Sequence, residues 1–153
     1  MAKGEKTIVV NRKAHHNFHL FDRFEAGIAL RGTEVKSLRN GQVNVTDAFV
    51  RIEDGQATLH NMHISPYEYG THWNHEPERP RRLLLHKREI RKLARETQQR
   101  GYTIVPTRLY FKNGRVKVEI ALAKGKALHD KREAIKRRDE ARQLRDVVRE
   151  ARR

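Results

Sequence analysis

Cationic side chains gathered in short stretches are the groups in this sequence best suited to binding a partner. Between positions 79 and 95, eight Lys and Arg residues stand against one acid, Glu89. Lys124, Gly125 and Lys126 form a second cluster. Lysine and arginine contact phosphates, and glycine lets the backbone approach them closely. The plainer interpretations are a solvated helix face for the first cluster and a flexible hinge for the second, which lacks the pattern of a P-loop.

Histidine is the second residue type with relevant chemistry, because the chain contains nine of them. A zinc site needs several ligands that converge on one point. His60 and His63 fall on one predicted strand, where side chains three residues apart point to opposite faces, and cysteine is absent. We therefore predict no metal site and no cofactor. We expect the histidines to lie on the surface or to contact RNA bases and phosphates.

Acid–base catalysis is one activity that the residue types allow. His16 with Glu25 or His19 would form the proton-transfer pair of a ribonuclease. The sequence contains neither a nucleophile elbow nor a glycine-rich dinucleotide loop, so we predict that the protein is not an enzyme. Glu25 and Glu34 are instead candidates for accepting hydrogen bonds from bases or riboses, with a salt bridge to a neighbouring cation as the alternative.

The overall charge indicates a polyanionic partner. The chain has 153 residues, with 34 Lys+Arg against 19 Asp+Glu, and a formal net charge of +15. Each phosphate contact releases counterions, so affinity for nucleic acid rises with the number of cations in reach. An acidic membrane surface is the competing partner, but no apolar run has the roughly 18 residues that a spanning helix needs. Met1–Lys6 is followed by no apolar signal segment. We expect a cytoplasmic protein, which the absence of cysteine also fits.

Two hairpins are the clearest structural signals. Residues 48–52 alternate between apolar and polar up to Asp54-Gly55, and the alternation resumes after that turn. Asn113-Gly114 separates a second pair of alternating segments. Asp-Gly and Asn-Gly favour the positive φ angles of tight hairpin turns, so both are predicted as β-hairpins.

One long helix and further strands are also predicted. From residue 87 to 100 the apolar residues recur at helical spacing, and Gly101 stands where helices commonly end. A shorter helix is predicted over residues 34–39. Residues 24–30 alternate as a half-buried strand does, and residues 83–85 form a short apolar run typical of a buried strand.

The elements together predict a mainly β fold, a small OB-like closed β-barrel with accessory helices. A two-layer α+β sheet is the alternative. Residues 71–82 show little pattern and are predicted to form a loop. We place the RNA-binding barrel in residues 1–123 and a basic C-terminal tail in residues 124–153.

The tail differs from the barrel in composition. It contains 12 Lys+Arg and six Asp+Glu, no aromatic residue and few aliphatic ones. Acid–base pairs at helical spacing, such as Glu133 with Arg137, favour a helix. We expect the tail to be disordered when free and to fold as a helix on a partner. A solvated terminal helix or a plain charged tail is the alternative.

A series of short segments, in order from Ile8 to the tail, matches one known family. The segments are Asn11-Arg12-Lys13-Ala14, Phe24-Glu25-Ala26-Gly27-Ile28, Gly32 to Arg39, Arg82 to Ile90, Gly101 to Pro106, Lys117-Val118, Lys124-Gly125-Lys126 and His129 to Arg132. In these segments the chain resembles the small protein B family, the SsrA-binding (tmRNA-binding) proteins of bacterial trans-translation. The resemblance implies an OB-like barrel with accessory helices and a basic tail.

The resemblance also implies a function. Such a protein binds the tRNA-like domain of tmRNA and helps to place it in the A site of ribosomes stalled without a codon. The tail would follow the path of the missing mRNA as a helix, with His129 near the decoding centre of the small subunit. We expect elongation factor Tu in the same delivery complex, and a monomer when the protein is free.

Residues are assigned to each partner by the same resemblance. Those implied to contact tmRNA are Asn11, Arg12, His16, Glu25, Leu84, His86, Lys117, Lys124, Gly125 and Lys126. Those implied to contact the ribosome are His129, Asp130, Lys131, Arg132, Lys136, Arg137, Arg138, Val147 and Val148. Ala127 stands where family members commonly have a second lysine, which removes one charge from the Lys124-Gly125-Lys126 contact.

Two other functions remain compatible with the residues. A general OB-type RNA-binding or ribosome-associated module would show little preference for tmRNA over other folded RNAs. A histidine-dependent ribonuclease would cleave RNA and would lose that activity in His16→Ala.

Overall fold

Strands and helices follow one another along residues 4–70, 74–126, 132 and 135–143, the parts of the chain that the computed structural model describes. The strands are β1 (Glu5–Val10), β2 (Phe18–Ile28), β3 (Val43–Asn44), β4 (Phe49–Glu53), β5 (Gln56–His60), β6 (His63–Ile64), β7 (Arg81–Leu84), β8 (Thr103–Lys112) and β9 (Arg115–Gly125). The helices are α1 (Arg12–Asn17), α2 (Gly32–Arg39) and α3 (Lys87–Gln99). Residues 135–143 are also helical and form what we call the tail helix. The prediction of a mainly β fold with accessory helices is confirmed.

Seven strands form one antiparallel sheet in the order β1-β8-β4-β5-β7-β2-β9. Because β9 also pairs with β8, the pairings lead from β8 through five other strands and back to β8. The short strands β3 and β6 pair separately. The pairing register shifts between Leu20 and Arg23 of β2 and between Pro106 and Arg108 of β8. Such irregularities bend a strand and increase its twist, which a strongly curved sheet requires.

Both predicted hairpins are confirmed. Asp54 and Gly55 connect β4 to β5 with φ angles of 51° and 72°. Asn113 and Gly114 connect β8 to β9 with φ angles of 51° and 79°. Positive φ at both turn residues matches the right-handed twist of the flanking strands. The second hairpin brings the start of β9, and with it Lys117, to the edge of the candidate site.

The predicted helices are confirmed with small changes in their bounds. The helix expected over residues 87–100 is α3, which ends at Gln99, and Gly101 follows with φ at 68°. The helix expected over residues 34–39 is α2, which begins at Gly32. The fully buried Leu93 anchors α3 to the sheet, and charged residues cover the opposite face of the helix.

Two elements depart from the sequence-based expectation. The short helix α1 gives no apolar period in the sequence, since Ala14 is its one buried side chain. The loop predicted over residues 71–82 is wrong at its end, because Arg81 and Arg82 belong to β7. A buried arginine hides the alternation of this strand from a hydrophobicity pattern. Residues 71–73 lie outside the described residues.

Glu34, Arg79 and Arg81 form a buried ion cluster that ties α2 to β7. Glu34 and Arg81 are both completely buried, and the Arg81 Nε donates to the Glu34 carboxylate at 2.6 Å. Arg79 donates to the same carboxylate, as does the backbone N–H of Arg31 at 2.8 Å. Burial acts to raise the pKa of Glu34, but the hydrogen bonds from Arg79, Arg31 and Arg81 outweigh it and leave that pKa lowered. The salt-bridge alternative for Glu34 is therefore confirmed.

The ion cluster reduces the number of cations in residues 79–95 that can contact phosphates. Arg79 and Arg81 were expected to contact phosphates together with the other cations of residues 79–95. Instead both serve Glu34, and Arg81 also donates to three backbone carbonyls, those of Met62, Glu76 and Pro77. Arg81 has no exposed surface and so no donor left for RNA, while the half-buried Arg79 donates to Glu34 and to two backbone carbonyls.

The tail helix differs from the other helices in its exposure. All of its residues from 135 to 143 are exposed to solvent. Residues 127–131, 133–134 and 144–153 lie outside the described residues, so the boundary at residue 124 and the disorder of the free tail stay predictions. In the described residues, no helix is long and apolar enough to cross a membrane.

Candidate nucleic-acid interface

A groove of about 380 Å³ opens between β2, β7, the start of β9 and the N-terminal end of α3. We call it the central groove. Four residues assigned to tmRNA contact lie along it together, namely Glu25, Leu84, His86 and Lys117. They come from three strands and a helix cap that are far apart in the sequence, so the fold brings them to one place.

The alternation of β7 explains why Leu84 faces this groove. Arg81 and Leu83 point into the interior and are buried, whereas Arg82 and Leu84 point outwards, as successive strand residues must. Leu84 is 56% exposed, which is unusual for a leucine at the centre of a charged surface. An exposed apolar side chain framed by polar groups is typical of an interaction site.

Gly27 of β2 lies at the floor of the central groove. It pairs with Leu84 on one side and with Lys117 on the other. A Cβ added to Gly27 would stand 3.2 Å from the Cβ of Leu84, closer than such atoms normally approach. The absence of a side chain at Gly27 therefore lets Leu84 and Lys117 flank the same opening.

Glu25 is an ionised acceptor on this surface. The Tyr110 hydroxyl donates to its carboxylate, and the Lys112 Nζ lies 3.3 Å from both carboxylate oxygens. The Tyr110 hydrogen bond lowers the pKa of Glu25, partial burial opposes it, and Lys112 lowers it further. Burial and the bond to Glu25 in turn raise the pKa of Tyr110. The Glu25 side chain remains 39% exposed, so it can accept from a ribose hydroxyl or a base amino group.

His86 and Lys117 supply donors beside that acceptor. His86 is the exposed N-cap residue of α3, and its backbone N–H donates to the Glu89 carboxylate at 3.0 Å. Lys117 is partly exposed, and its charge also lowers the pKa of Glu25. An apolar contact, a carboxylate, a lysine and a histidine thus meet in one groove, which suits a folded RNA surface with both bases and phosphates.

A second pocket, of about 460 Å³, lies between α1 and the tail helix. We call it the cationic pocket. The six residues that line it are Arg12, His15, His16, Lys126, Arg137 and Arg138. The Arg138 guanidinium reaches to 3.5 Å from Nδ1 of His16, and the Lys126 Nζ donates to the His15 carbonyl at 3.3 Å. All six are basic, which suits phosphate groups.

Burial and nearby charges shift the pKa of His15 in this pocket. Its pKa is lowered, first by partial burial and then by the positive charge of Arg23. His15 lies beside the assigned His16, but its role gives no separate signal in the sequence. His15 was among the histidines expected at the surface or in contact with RNA, but it was not assigned to a partner.

Asn11 positions α1 from within the fold. Its side-chain amide donates to the Pro106 carbonyl at 2.8 Å and to the Val45 carbonyl at 3.2 Å. Its Oδ1 accepts from the backbone N–H of Ala14 at 3.1 Å and so caps the helix. With only 3% of its surface exposed, Asn11 supports Arg12 and His16 through the helix and does not face the cationic pocket itself.

Lys124 and Gly125 lie at the end of β9, apart from the central groove. The Lys124 Nζ is 4.7 Å from the centroid of the Tyr102 ring, and Phe21 meets the same ring edge-on at 5.1 Å. Phe21 is 44% exposed. Exposed aromatic rings beside cations can stack on unpaired bases. Phe21 and Tyr102 were not singled out in the sequence, where isolated aromatic residues give no distinctive pattern.

Only some of the tail residues assigned to the ribosome lie within the described residues. Arg132 is exposed, and Lys136 lies exposed on the tail helix with Arg137 and Arg138. The remaining assigned residues lie outside the described residues, and they are His129, Asp130, Lys131, Val147 and Val148.

The histidines do not form a metal site in the described part of the chain, where no group of three or more potential ligands could hold an ion. His60 and His63 were expected on one strand, but β5 ends at His60 and β6 begins at His63. His75 was expected at the surface and is instead buried, with its ring nitrogens bonded to Thr33 Oγ1 at 2.8 Å and to a backbone carbonyl at 2.9 Å.

Comparison with known proteins places these features in context. The family described as SmpB protein matches residues 8–150. The SsrA-binding protein of Carboxydothermus hydrogenoformans is 56% identical over 145 residues, covering 95% of this chain and 97% of its own. That of Geobacillus kaustophilus is 54% identical over 151 residues, covering 98% and 97%. A solved structure described as "tmRNA-SmpB: a journey to the center of the bacterial ribosome" aligns with a TM-score of 0.67 at 47% identity, covering 83% of this chain and 93% of that one.

Proposed function

The chain belongs to the SmpB family of SsrA-binding proteins, and we propose that it binds the tRNA-like domain of tmRNA and delivers it to the A site of stalled ribosomes. The role is that of a non-enzymatic adaptor in trans-translation and ribosome rescue. The observation that carries the proposal is the central groove, where Glu25, Leu84, His86 and Lys117 meet.

The groove supports recognition of a folded RNA and not of a uniform duplex. A cationic surface alone binds any nucleic acid, because it contacts only phosphates. Leu84 and Glu25 offer phosphates nothing, yet both line the groove. They fit an RNA loop with unstacked bases and accessible 2′-hydroxyls, such as the corner of a tRNA-like fold.

We infer that the sheet carries this site as an OB-like closed barrel. The strand pairings that lead from β8 back to β8 support closure. A closed sheet holds its strands rigidly, and rigid elements fix the relative positions of side chains better than loops do. We further propose residues 1–123 as the RNA-binding unit and residues 124–153 as the ribosome-binding tail.

The tail acts in the mRNA channel in this proposal. Arg132, Lys136, Arg137 and Arg138 would contact ribosomal RNA there, together with His129, Asp130, Lys131, Val147 and Val148. The exposed basic surface of the tail helix supports this, because an RNA-lined channel attracts it along its whole length. The tail would order fully only in an empty channel, so that its folding reports the missing mRNA.

Further partners follow from the same role. We propose that elongation factor Tu belongs to the delivery complex, that the free protein is a monomer, and that it acts in the cytoplasm with the ribosome. The RNA-contact set is Arg12, His16, Glu25, Leu84, His86, Lys117, Lys124, Gly125 and Lys126, with Asn11 positioning α1. No cofactor is required for binding or delivery.

A competition experiment tests the tmRNA assignment. The full chain is titrated with labelled tRNA-like domain of tmRNA at about physiological salt, with and without excess elongator tRNA. We expect tight binding that survives the competitor, since non-specific binding by so basic a protein weakens steeply at this salt. Binding erased equally by any tRNA would leave a general RNA-binding module and refute the adaptor assignment.

A truncation tests the division of labour. A chain ending at Asp130 should bind the tRNA-like domain as the full chain does, while tagging of stalled nascent chains is abolished. Loss of tmRNA binding on truncation would contradict the proposal that the tail serves the ribosome.

A further inference from the structure

Three adjoining clefts form a track across the surface of the described residues. The central groove shares Gly27, Leu84 and Lys117 with a middle cleft of about 310 Å³. The middle cleft shares Gly114 with an open cleft of about 610 Å³ at the C-terminal end of α2. We call this last cleft the distal pocket. RNA bound in the central groove therefore has a continuous path along the start of β9.

Cations mark the path between the two ends. Arg115 and Lys117 both line the middle cleft and lie two residues apart on β9, so their side chains leave the strand on the same face. Arg115 is exposed, and its side chain has no ion pair or hydrogen bond within the described residues. An RNA strand following the cleft would meet these charges in succession.

The distal pocket combines an apolar floor with a polar rim. Ile8 and Phe111 are partly buried and line it together with the buried Leu38. Lys6 and Arg39 lie exposed at its edge, and neither side chain has an ion pair or hydrogen bond within residues 4–70, 74–126, 132 and 135–143. Apolar surface of this kind takes up the face of a base, and free cations take up the flanking phosphates.

Asn40 adds a group that can recognise a base edge. It is the exposed C-cap residue of α2, and its side-chain amide makes no hydrogen bond within the described part of the chain. An amide offers a donor and an acceptor side by side, which matches the edge of a base. None of the residues lining this pocket is acidic.

We propose that the distal pocket is a second RNA contact that binds one unstacked nucleotide of the tmRNA whose folded domain fills the central groove. The base packs on Ile8 and Phe111, Asn40 contacts its edge, and Lys6 and Arg39 hold the adjoining phosphates. This inference rests on the proposed function. RNA is favoured over a peptide because the pocket continues the track from the groove and carries positive charge without acids.

Matched charge variants test the phosphate contacts. Lys6→Ala/Arg39→Ala is compared with Arg51→Ala/Arg100→Ala, which removes the same charge from exposed positions off the track. Binding of the tRNA-like domain to the full chain is measured over a range of salt concentrations. We expect the pocket pair to weaken binding about tenfold and to reduce the salt slope by about 1.4, since each single-strand phosphate contact adds about 0.7. The control pair should weaken binding less than about threefold.

Asn40→Ala separates base recognition from charge. It should weaken binding about fivefold with an unchanged salt slope, because a base-edge hydrogen bond releases no counterion. The exposed positions of Asn40, Lys6 and Arg39 make misfolding a poor explanation, and equal thermal unfolding midpoints check this directly.

These measurements show whether the distal pocket contacts RNA. Equal losses in the pocket pair and the control pair overturn the distal pocket, and so does an unaltered affinity in Asn40→Ala. Either result leaves the proposed function standing if the wild type prefers the tRNA-like domain over elongator tRNA. If the wild type shows no such preference, the proposed function is refuted. The comparison of the two charge pairs then still shows whether the distal pocket contacts RNA.

Discussion

The central groove and the cationic pocket offer RNA two different surfaces. The groove sets an exposed leucine across Gly27 from a lysine, with the carboxylate of Glu25 on the strand between them. The pocket sets six basic side chains against one another, half on α1 and the rest at the end of β9 and on the tail helix. The first surface combines charges of both signs with an apolar contact, and the second is basic throughout and includes a component outside the sheet.

This difference indicates a division between selectivity and affinity. Phosphate contacts are the same for every RNA and depend on salt, whereas contacts to bases and riboses depend on the particular fold. The groove should therefore discriminate between RNAs, and the cationic pocket should strengthen the binding of all of them. Mutations in the two regions should separate these effects.

The largest expected effect comes from the ion cluster that supports the groove. Glu34→Gln removes the carboxylate that two buried or half-buried arginines share, so their charges lose compensation. Breaking a buried ion pair in this way costs about 3–5 kcal/mol. We expect a loss of about 3 kcal/mol in the free energy of urea unfolding, because the Gln amide keeps part of the hydrogen bonding.

Glu53→Gln is the matched control for this change, since Glu53 pairs with Arg51 at the surface at 3.5 Å. Glu53→Gln should lower the free energy of unfolding by less than about 1 kcal/mol. Similar losses in the two variants would show that the cluster does not hold α2 against β7, and the groove would then owe its geometry to apolar packing alone.

Leu84→Ala tests selectivity in the groove. The change removes the apolar contact without altering charge, so binding of the tRNA-like domain should weaken about tenfold, or about 1.4 kcal/mol, with the salt slope unchanged. Elongator tRNA should bind as before. Val10→Ala is the control, because Val10 is also exposed, by 45%, and lies away from the groove. A loss shared by both RNAs would contradict a selective role for Leu84.

Arg12→Ala/Lys126→Ala tests whether the cationic pocket strengthens the binding of both RNAs. Binding of both RNAs should weaken about fivefold, and the salt slope should fall by about 1.4 to 1.8 as two phosphate contacts are lost. Titrations at several salt concentrations measure both quantities. A loss confined to the tRNA-like domain would mean that the pocket discriminates as the groove does, and the division proposed above would fail.

The groove was more predictable from sequence than the framework that builds it. Alternation and turn chemistry predicted both hairpins and α3, since Asp-Gly, Asn-Gly and a helical apolar face are local signals. Resemblance then assigned Glu25, Leu84 and Lys117 to one surface, and the strand register brings them together. Their convergence depends on pairings between strands far apart in the chain, which no local pattern contains.

What could not be predicted depends on buried polar groups. Arg81 looks like a surface cation in the sequence but is completely buried, so β7 was shortened and two arginines were counted as phosphate ligands. Asn11 looks like a contact residue in the sequence, but its side chain forms hydrogen bonds with backbone groups in and around α1. Tertiary partners decide the environment of such residues, and hydrophobicity patterns do not record partners.

The smallest effect concerns Glu25, one of the two acids that line the central groove. The pKa of Glu25 lies below its ordinary value in the folded protein, chiefly because of the Tyr110 hydrogen bond, so the ionised carboxylate stabilises the fold. That contribution is present above the ordinary pKa of 4.5 and is lost as the pH falls through the lowered folded value.

Glu25→Gln should therefore lower the free energy of unfolding at neutral pH, by less than about 1 kcal/mol because the side chain is partly exposed to screening solvent. The difference from wild type should shrink as the pH falls below 4.5. Urea unfolding of both proteins at a series of pH values measures this difference in the free energy of unfolding. Arg12→Ala should show no such acid limb, since no carboxylate lines the cationic pocket within the described residues. A difference for Glu25→Gln that does not change with pH would mean that shape, and not charge, holds Glu25 beside Tyr110.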